Sequence, residues 1–565
     1  MALILLSWLY VFVTASSLGI SFAKLLGIPA RNITVTITLG LFAVTLLASI
    51  WAIFAPIDLG FTVFLSTITL ISGYCFRFDW IAMWKTTVKS IRFFSFTLKI
   101  LFSLSSILIL AQSATTPFII DNETYYIQTI KWLNEYGFVP GLANLHLFFG
   151  QTSGWHIAQS VYSLSFVYDD FNDLNGFLLL IINFWSFQRL HSYLGSQRKM
   201  DLVFGLLPLS YLFLFQFVNA PSPDLAVYAI AFLVFSIYTD ISENIAQKFK
   251  LISVLLIFAV YIKITALVLL LLPIIILLKY RNQIKNQVLS ISLLGGLVLL
   301  LFVVKNIILT GYPLFPMTFL PYSDIDYIVP KEIMAYFFSP DMMHSFYMPF
   351  GSLSQTTFAN VVRHYFWLSG IDSIIGCTTV ALLVIIPFII SKHYSKQGLR
   401  DIYMVFVSLL ILLTFSSPQY RFYVYFTLFF GLLLAAVWFT KEKIILVLIG
   451  MSLLGCTVVL FIPLTFGSIT NNQMLSKNNT FTTESLIFPK PNSKNNLTYT
   501  RENKGNLDYY APQKTTIFWI TGNGHLPTVN KEQLDYFETY FHVIPQFRGQ
   551  TLSQGFRAQK VNSHD

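Results

Sequence analysis

Charge is what this chain has least of. Only 11% of its residues are Asp, Glu, Lys or Arg, against 55% that are hydrophobic, whereas a soluble domain carries roughly 25% charged residues. That shortage excludes a water-facing globular surface. Cysteine is scarce as well: Cys75, Cys377 and Cys456 fall in or beside apolar segments. They show neither metal-ligand spacing nor a paired framework, so a disulfide scaffold is excluded and the thiols are expected to be buried small hydrophobes. Walker A, dinucleotide-glycine and G-x-S-x-G patterns are missing, which removes ATP hydrolysis, nicotinamide chemistry and a serine-esterase mechanism. The histidines show no H-x-x-x-H or H-E-x-x-H spacing, which argues against zinc. No basic n-region or cleavage site opens the chain, so its first 22 residues read as a membrane span rather than a signal peptide.

What is present is a succession of apolar runs, each about 17–25 residues and so long enough to cross a bilayer as a helix. Spans are expected at 2–22, 36–55, 58–75, 94–111, 175–190, 202–218, 224–240, 251–262, 264–279, 287–305, 373–390, 402–416, 421–439 and 444–462. Lys and Arg then alternate in side. Lys24 and Arg31, Arg77 to Arg92, Arg189 to Lys199, Lys248 to Lys250, Lys279 to Lys285, Lys392 to Arg400, and Lys441 with Lys443 share one side. The loop 112–174 opposite has Lys131 as its one Lys or Arg, against Asp121, Glu123, Glu135, Asp169, Asp170 and Asp173. By the positive-inside rule the basic side is cytoplasmic and the acidic loop extracytoplasmic. The net charge of +10 therefore sets orientation and calls for no nucleic acid.

The expected fold class is an all-α polytopic membrane protein in three parts: N-terminal transmembrane helices 1–93, a main helical bundle 94–462 with outer loops 112–174 and 306–372, and an extracytoplasmic α+β tail 463–565. Within the tail, 464–505 reads as a linker, Thr515–Thr521 as a strand and Lys531–His542 as a helix. The side bookkeeping makes 153–167 a helix lying along the outer interface, with Trp155, Tyr162 and Phe166 as anchors. Leu251–Tyr280 is basic at both ends and reads as two helices hinged near Tyr261–Lys263.

Chemistry is expected where polar residues meet the outer ends of spans. Asp121 and Glu123 form an i, i+2 carboxylate pair at a helix exit; either a general base or a ligand set for Mg2+ or Mn2+ fits that spacing. Asp224 stands at the start of a span, where it also suits an N-cap. Lys263 sits between two apolar helices, where an ammonium needs water, a carboxylate or a phosphate. Arg363 and Arg421 are cations on the side that otherwise lacks them, and guanidinium grips phosphate oxygens with a fork.

Four features resemble the C-type glycosyltransferase superfamily (GT-C). They are Asp121-Asn122-Glu123 in the first large outer loop, the Trp155-His156 interfacial segment, Pro223-Asp224 at the outer start of a span, and Thr310-Gly311-Tyr312-Pro313-Leu314-Phe315-Pro316. The run Tyr125–Trp132 with Gly137–His146 is similar to a GT-C-like membrane protein family of Bacteroidetes and spirochaetes. The resemblance implies a GT-C-like helical bundle in the cytoplasmic membrane. It would transfer sugar from a polyprenyl-phosphate-linked donor to a glycan or lipid acceptor among membrane lipids, with inversion at the anomeric carbon. Asp121 would be base or metal ligand with Glu123 in support. Lys263, Arg363 and Arg421 would meet the phosphate, with Asp224, His146, His156, Tyr125, Tyr126 and Trp155 completing the substrate cleft. A flippase or carrier, or an oligosaccharide ligase or polymerase, are the alternatives.

Overall fold

Leu, Ile, Phe and Val dominate every long segment, and in an apolar setting only a helix satisfies each backbone N–H and C=O within its own segment. A computed structural model describes residues 1–29, 32–240, 244–322, 324–339, 371–394, 398–417, 419–465, 476–477 and 480–561. Among them eight helices are long and apolar enough to cross a membrane: Ala2–Leu25, Ile33–Trp51, Phe96–Ser113, Lys199–Phe217, Ile245–Ile262, Ile264–Thr310, Ile371–His393 and Glu442–Phe461. A further pair, Leu59–Cys75 and Arg77–Phe93, meets at an 84° bend. The second arm turns away because it carries Arg77, Asp79, Lys85, Lys89 and Arg92, which are costly in hydrocarbon. The chain is thus a helical, multi-pass membrane protein.

The first two helices cross tightly. A Cβ at Gly40 would lie 1.7 Å from the Ala15 carbonyl oxygen, so only glycine permits the approach. The hinge expected at Tyr261–Lys263 is present: the helix stops at Ile262, Lys263 is extended (φ −152°, ψ 121°), and a 3-10 turn, Ile264–Leu270, starts the return. The segments expected as 264–279 and 287–305 continue as one helical run through a kink at Tyr280.

Loops expected on one side meet one another. At the basic end, Lys279 bridges to Asp401 at 2.8 Å, Arg189 to Asp201 at 3.0 Å, and the Tyr193 hydroxyl donates to the Thr440 carbonyl at 3.0 Å. At the acidic end, Asn134 donates to the Ile57 carbonyl at 2.7 Å, Gly141 N–H to Ile308 at 2.7 Å, and Tyr168 to Pro489 at 3.1 Å.

Five expectations change. The 153–167 segment is a helix only over Gly154–Tyr162, and it is buried in protein: Trp155 is 1% and Tyr162 0% exposed. Its anchors bond inward, Tyr162 with the Thr14 hydroxyl and Trp155 with Asn175, while Phe166 alone is exposed. Cys456 is buried, but Cys75 and Cys377 are exposed on apolar helix faces. Thr515–Thr521 forms no strand, because its backbone docks on the acidic loop. Of the expected linker 464–505, the described residues 480–505 are engaged by contacts: Lys490 N–H donates to the Ala114 carbonyl, and Tyr499–Lys504 pairs antiparallel with Leu507–Pro512. Asp224 is no N-cap; Ser222 takes that place and accepts from the Asp224 N–H. The helix expected in the tail is found at Lys531–Phe541, and a hairpin of Val543–Phe547 with Phe556–Lys560 follows.

Candidate functional site

A π-helical turn, Asn122–Tyr126, begins the acidic loop. Such turns disturb the helical repeat and are frequent at functional sites. Here the turn separates the two carboxylates expected to act together. Asp121 faces Arg421, whose Nη1 donates to its Oδ2, and the Tyr126 hydroxyl approaches the same oxygen at 3.4 Å. Glu123 is 0% exposed and faces the tail. Its Oε1 accepts from the Lys494 N–H at 2.9 Å and the Asn122 amide at 3.3 Å, and its Oε2 accepts from Ser493 at 2.7 Å and Asn495 at 3.3 Å. Burial pushes the Glu123 carboxyl upward, against Ser493, the Lys494 N–H and charge, and Asn122. A divalent cation shared by Asp121 and Glu123 does not fit this arrangement, because the two side chains serve different partners. Among the described residues no group of three His, Cys, Asp or Glu comes together.

A second ion pair lies beside the first. Lys263 Nζ donates to Asp224 Oδ1, and Asp224 is 2% exposed. The hinge explains the reach: with Ile262 ending its helix, the Lys263 side chain is released at the helix end. Phe422 bridges the two pairs, its ring centre 4.3 Å from Lys263 Nζ and 5.5 Å from the Arg421 guanidinium carbon. Lys263 feels the charges of Asp224, Arg421 and Asp121 together. Four charges from four distant segments thus converge at the acidic end of the bundle.

The loops carrying these charges are tied to one another. Asn175 donates to the carbonyls of Phe217, Ala220 and Ser222 at 2.8, 2.6 and 3.0 Å, and accepts from Trp155 Nε1 at 2.7 Å. Trp155 therefore orients the turn before Asp224 rather than walling a cleft. Asn219 joins that turn to the Asp121 loop through Thr115 Oγ1 at 2.9 Å and the Thr116 carbonyl at 2.8 Å. The Tyr228 hydroxyl donates to the Arg421 carbonyl at 2.6 Å, and Arg421 Nε donates to Gln419 at 2.6 Å.

Aromatic rings stand on one flank. Tyr125 packs edge-on against Tyr126 at 4.7 Å, and His156 lies 4.7 Å from Tyr126 and 5.9 Å from Tyr125. Gly154 lets this helix close on the hinge, since a Cβ there would meet Tyr261 Cδ1 at 2.7 Å. Burial drives the His156 imidazole down to about 3, with Lys305 and Lys263 adding to the effect. His146 lies elsewhere. Its ring stacks on Phe149 at 4.7 Å and its Nε2 meets the Trp519 carbonyl at 3.1 Å, so it fastens the tail. Burial also lowers it, to about 4. Arg363 lies outside the described residues.

Sequence reasoning therefore named Asp121, Asp224, Lys263, Arg421, Tyr125, Tyr126 and His156, all brought together here, and missed Lys305. Lys305 is 4% exposed, in the last turns of a helix of forty residues. Its signal was a lysine closing an apolar run, which ordinarily snorkels.

A multi-pass helical membrane protein with two partly buried ion pairs gathered at the acidic end of its bundle is the class that fold and site define. The chain belongs to the family described as domain of unknown function DUF8201, whose model matches residues 1–428. That stretch contains every member of the charge cluster and ends before the tail that grips Glu123. No curated protein and no solved structure matches the chain.

Proposed function

We propose that this protein is an integral-membrane glycosyltransferase of the GT-C type, moving sugar from a polyprenyl-phosphate-linked donor to a glycan or lipid acceptor on the outer face of the cytoplasmic membrane. The observation carrying the reading is the convergence of Asp121–Arg421 and Asp224–Lys263 around Phe422. Such a set holds what inverting transfer from a lipid phosphate requires: a carboxylate near the acceptor and cations near the leaving group.

In this mechanism the acceptor hydroxyl attacks the anomeric carbon and gives its proton to Asp121. The new C–O bond forms as the bond from the anomeric carbon to the phosphate oxygen breaks. The departing phosphate carries the electron pair, and Arg421 and Lys263 stabilise its charge. In the resting state Arg421 occupies Asp121; an arriving phosphate competes for the guanidinium and frees the carboxylate. Asp224 holds Lys263 in place, and the half-buried Tyr125, backed by the buried Tyr126 and His156, offers an aromatic face to a sugar ring. Glu123 supports the site indirectly by clamping residues 493–495.

The test is lipid analysis of a deletion strain. A polyprenyl-linked saccharide should accumulate, and wild-type protein but not Asp121→Asn should clear it. Absence of any accumulating lipid-linked saccharide, or full clearance by Asp121→Asn at equal expression, would overturn the reading.

A further inference from the structure

We propose that Lys305 and His156 form an oxyanion-binding pair that receives a charged oxygen of the substrate, a contact that neither ion pair supplies. Lys305 Nζ donates to the Thr152 carbonyl at 2.6 Å and lies 5.3 Å from the Phe302 ring centre. Among the described residues no carboxylate stands within ion-pair distance of it. An ammonium has three N–H donors, and one carbonyl satisfies one of them. A buried, uncompensated lysine in an apolar helix is unfavourable unless it faces water, a partner or a ligand.

His156 carries the matching donor. It is 0% exposed, and its Nδ1 accepts from the Ser153 N–H at 3.3 Å, which leaves the proton on Nε2. That Nε2 has no hydrogen-bond partner among the described residues. The two groups share one turn: Lys305 holds Thr152, His156 holds Ser153. The turn borders the charge cluster, since the His156 ring packs on Tyr126, whose hydroxyl approaches Asp121, and His156 senses Lys305, Asp121 and Lys263.

The pair selects by chemistry. An ammonium and a neutral imidazole N–H are both donors, and the cation adds charge, so the preferred occupant is an oxyanion. With each ion pair neutral in itself, a protonated Lys305 would be the one positive charge among these five groups without a counter-charge, and an arriving oxyanion would supply it. A phosphate oxygen of the lipid carrier and the carboxylate of an acidic sugar both supply that chemistry. Naming the occupant as substrate rests on the transferase reading; the oxyanion site does not.

Binding of three probes to detergent-purified full-length protein tests the pair: a short-chain isoprenyl monophosphate, inorganic phosphate and glucuronate. Lys305→Met should weaken the bound probe about tenfold or more, equivalent to about 1.4 kcal/mol. Its thermal midpoint should stay level or rise, because an uncompensated buried charge is gone. Lys305→Arg should keep most of the affinity, and His156→Phe should lose affinity while retaining the ring. Loss confined to the phosphates assigns the carrier; loss confined to glucuronate assigns an acidic sugar. Unchanged affinity in both Lys305→Met and His156→Phe, or no anion bound by wild type, would overturn the pair. A failed pair with Asp121→Asn still inactive leaves the transferase standing. A working pair without any accumulating lipid-linked saccharide leaves the oxyanion site and removes the transferase.

Discussion

Arg421 and Asp121, 300 residues apart in sequence, form an ion pair at the acidic end of the bundle. The pair joins the first loop layer to the short turn before Val424–Trp438, and it places the proposed base under the control of the proposed phosphate ligand. Arg421→Lys should keep the charge but lose the fork that holds Asp121 and Gln419 together. Turnover per monodisperse molecule should fall roughly tenfold or more, while Asp121→Asn should fall about a hundredfold or more. Equal turnover in Arg421→Lys and wild type would remove the guanidinium from the chemistry.

Asp224 and Lys263 predict a different pattern. Lys263→Met leaves a buried carboxylate without its partner, which typically costs about 3–5 kcal/mol. Folded yield should drop steeply. Adding Asp224→Asn should restore yield, since a neutral pair has no stranded charge, yet transfer should stay low. Size-exclusion profiles and turnover of the single and double variants check both statements; a double variant that regains activity would make the pair purely structural.

Glu123 reports on the tail. Glu123→Ala removes the acceptor for Ser493, the Lys494 N–H, Asn495 and Asn122. Stranding buried donors costs about 1–3 kcal/mol each, so the tail should lift and residues 480–498 should become more readily cleaved. Limited proteolysis should show this for Glu123→Ala and not for Asp121→Asn. Equal cleavage patterns would refute the division of labour between the two carboxylates.

Acid should loosen the acidic end. Burial holds His146 down at about 4 and His156 at about 3, whereas an unfolded chain protonates near about 6.5. Depressed folded values contribute stability that is present above the unfolded value and lost as pH falls towards 4. Between the unfolded value and its own folded value, each imidazole should cost about 1.4 kcal/mol per pH unit. His156 faces Lys305 and Lys263, which deepen the effect, and Asp121, which opposes it; His146 faces the Trp519 carbonyl and aromatic rings. Thermal midpoints at about pH 7.5 and about pH 5 should differ less in His146→Gln than in wild type.

Orientation can be read by cysteine labelling in a background lacking the native thiols. Asn122, an obvious loop position from sequence, is 0% exposed and would label poorly from either side. Glu484, with an 82% exposed side chain, and Gln197, exposed at the basic end, are the sound pair. An impermeant reagent outside intact cells should reach a cysteine at 484 and not one at 197. The reverse result would invert the protein and its site.

Helices, the hinge at Lys263 and the separation of basic from acidic loops were determined by the sequence alone, because each follows from local physics. An apolar run must satisfy its own backbone, a lysine interrupts it, and charge sorts to the ends. The same locality explains the candidates: Asp121, Asp224, Lys263 and Arg421 stand out as charges at the ends of apolar runs. Their pairing was beyond such reasoning, since ion pairs across 300 and 39 residues depend on how helices pack. Packing also overturned the interfacial role of Trp155 and Tyr162, whose apolar bodies read alike whether they meet lipid or protein. It divided Asp121 from Glu123, because one π-helical turn sends neighbouring side chains to different partners. Tertiary structure alone decided that Glu123 holds the tail and that Lys305 meets no carboxylate among the described residues, because a buried group's role is set by what reaches it.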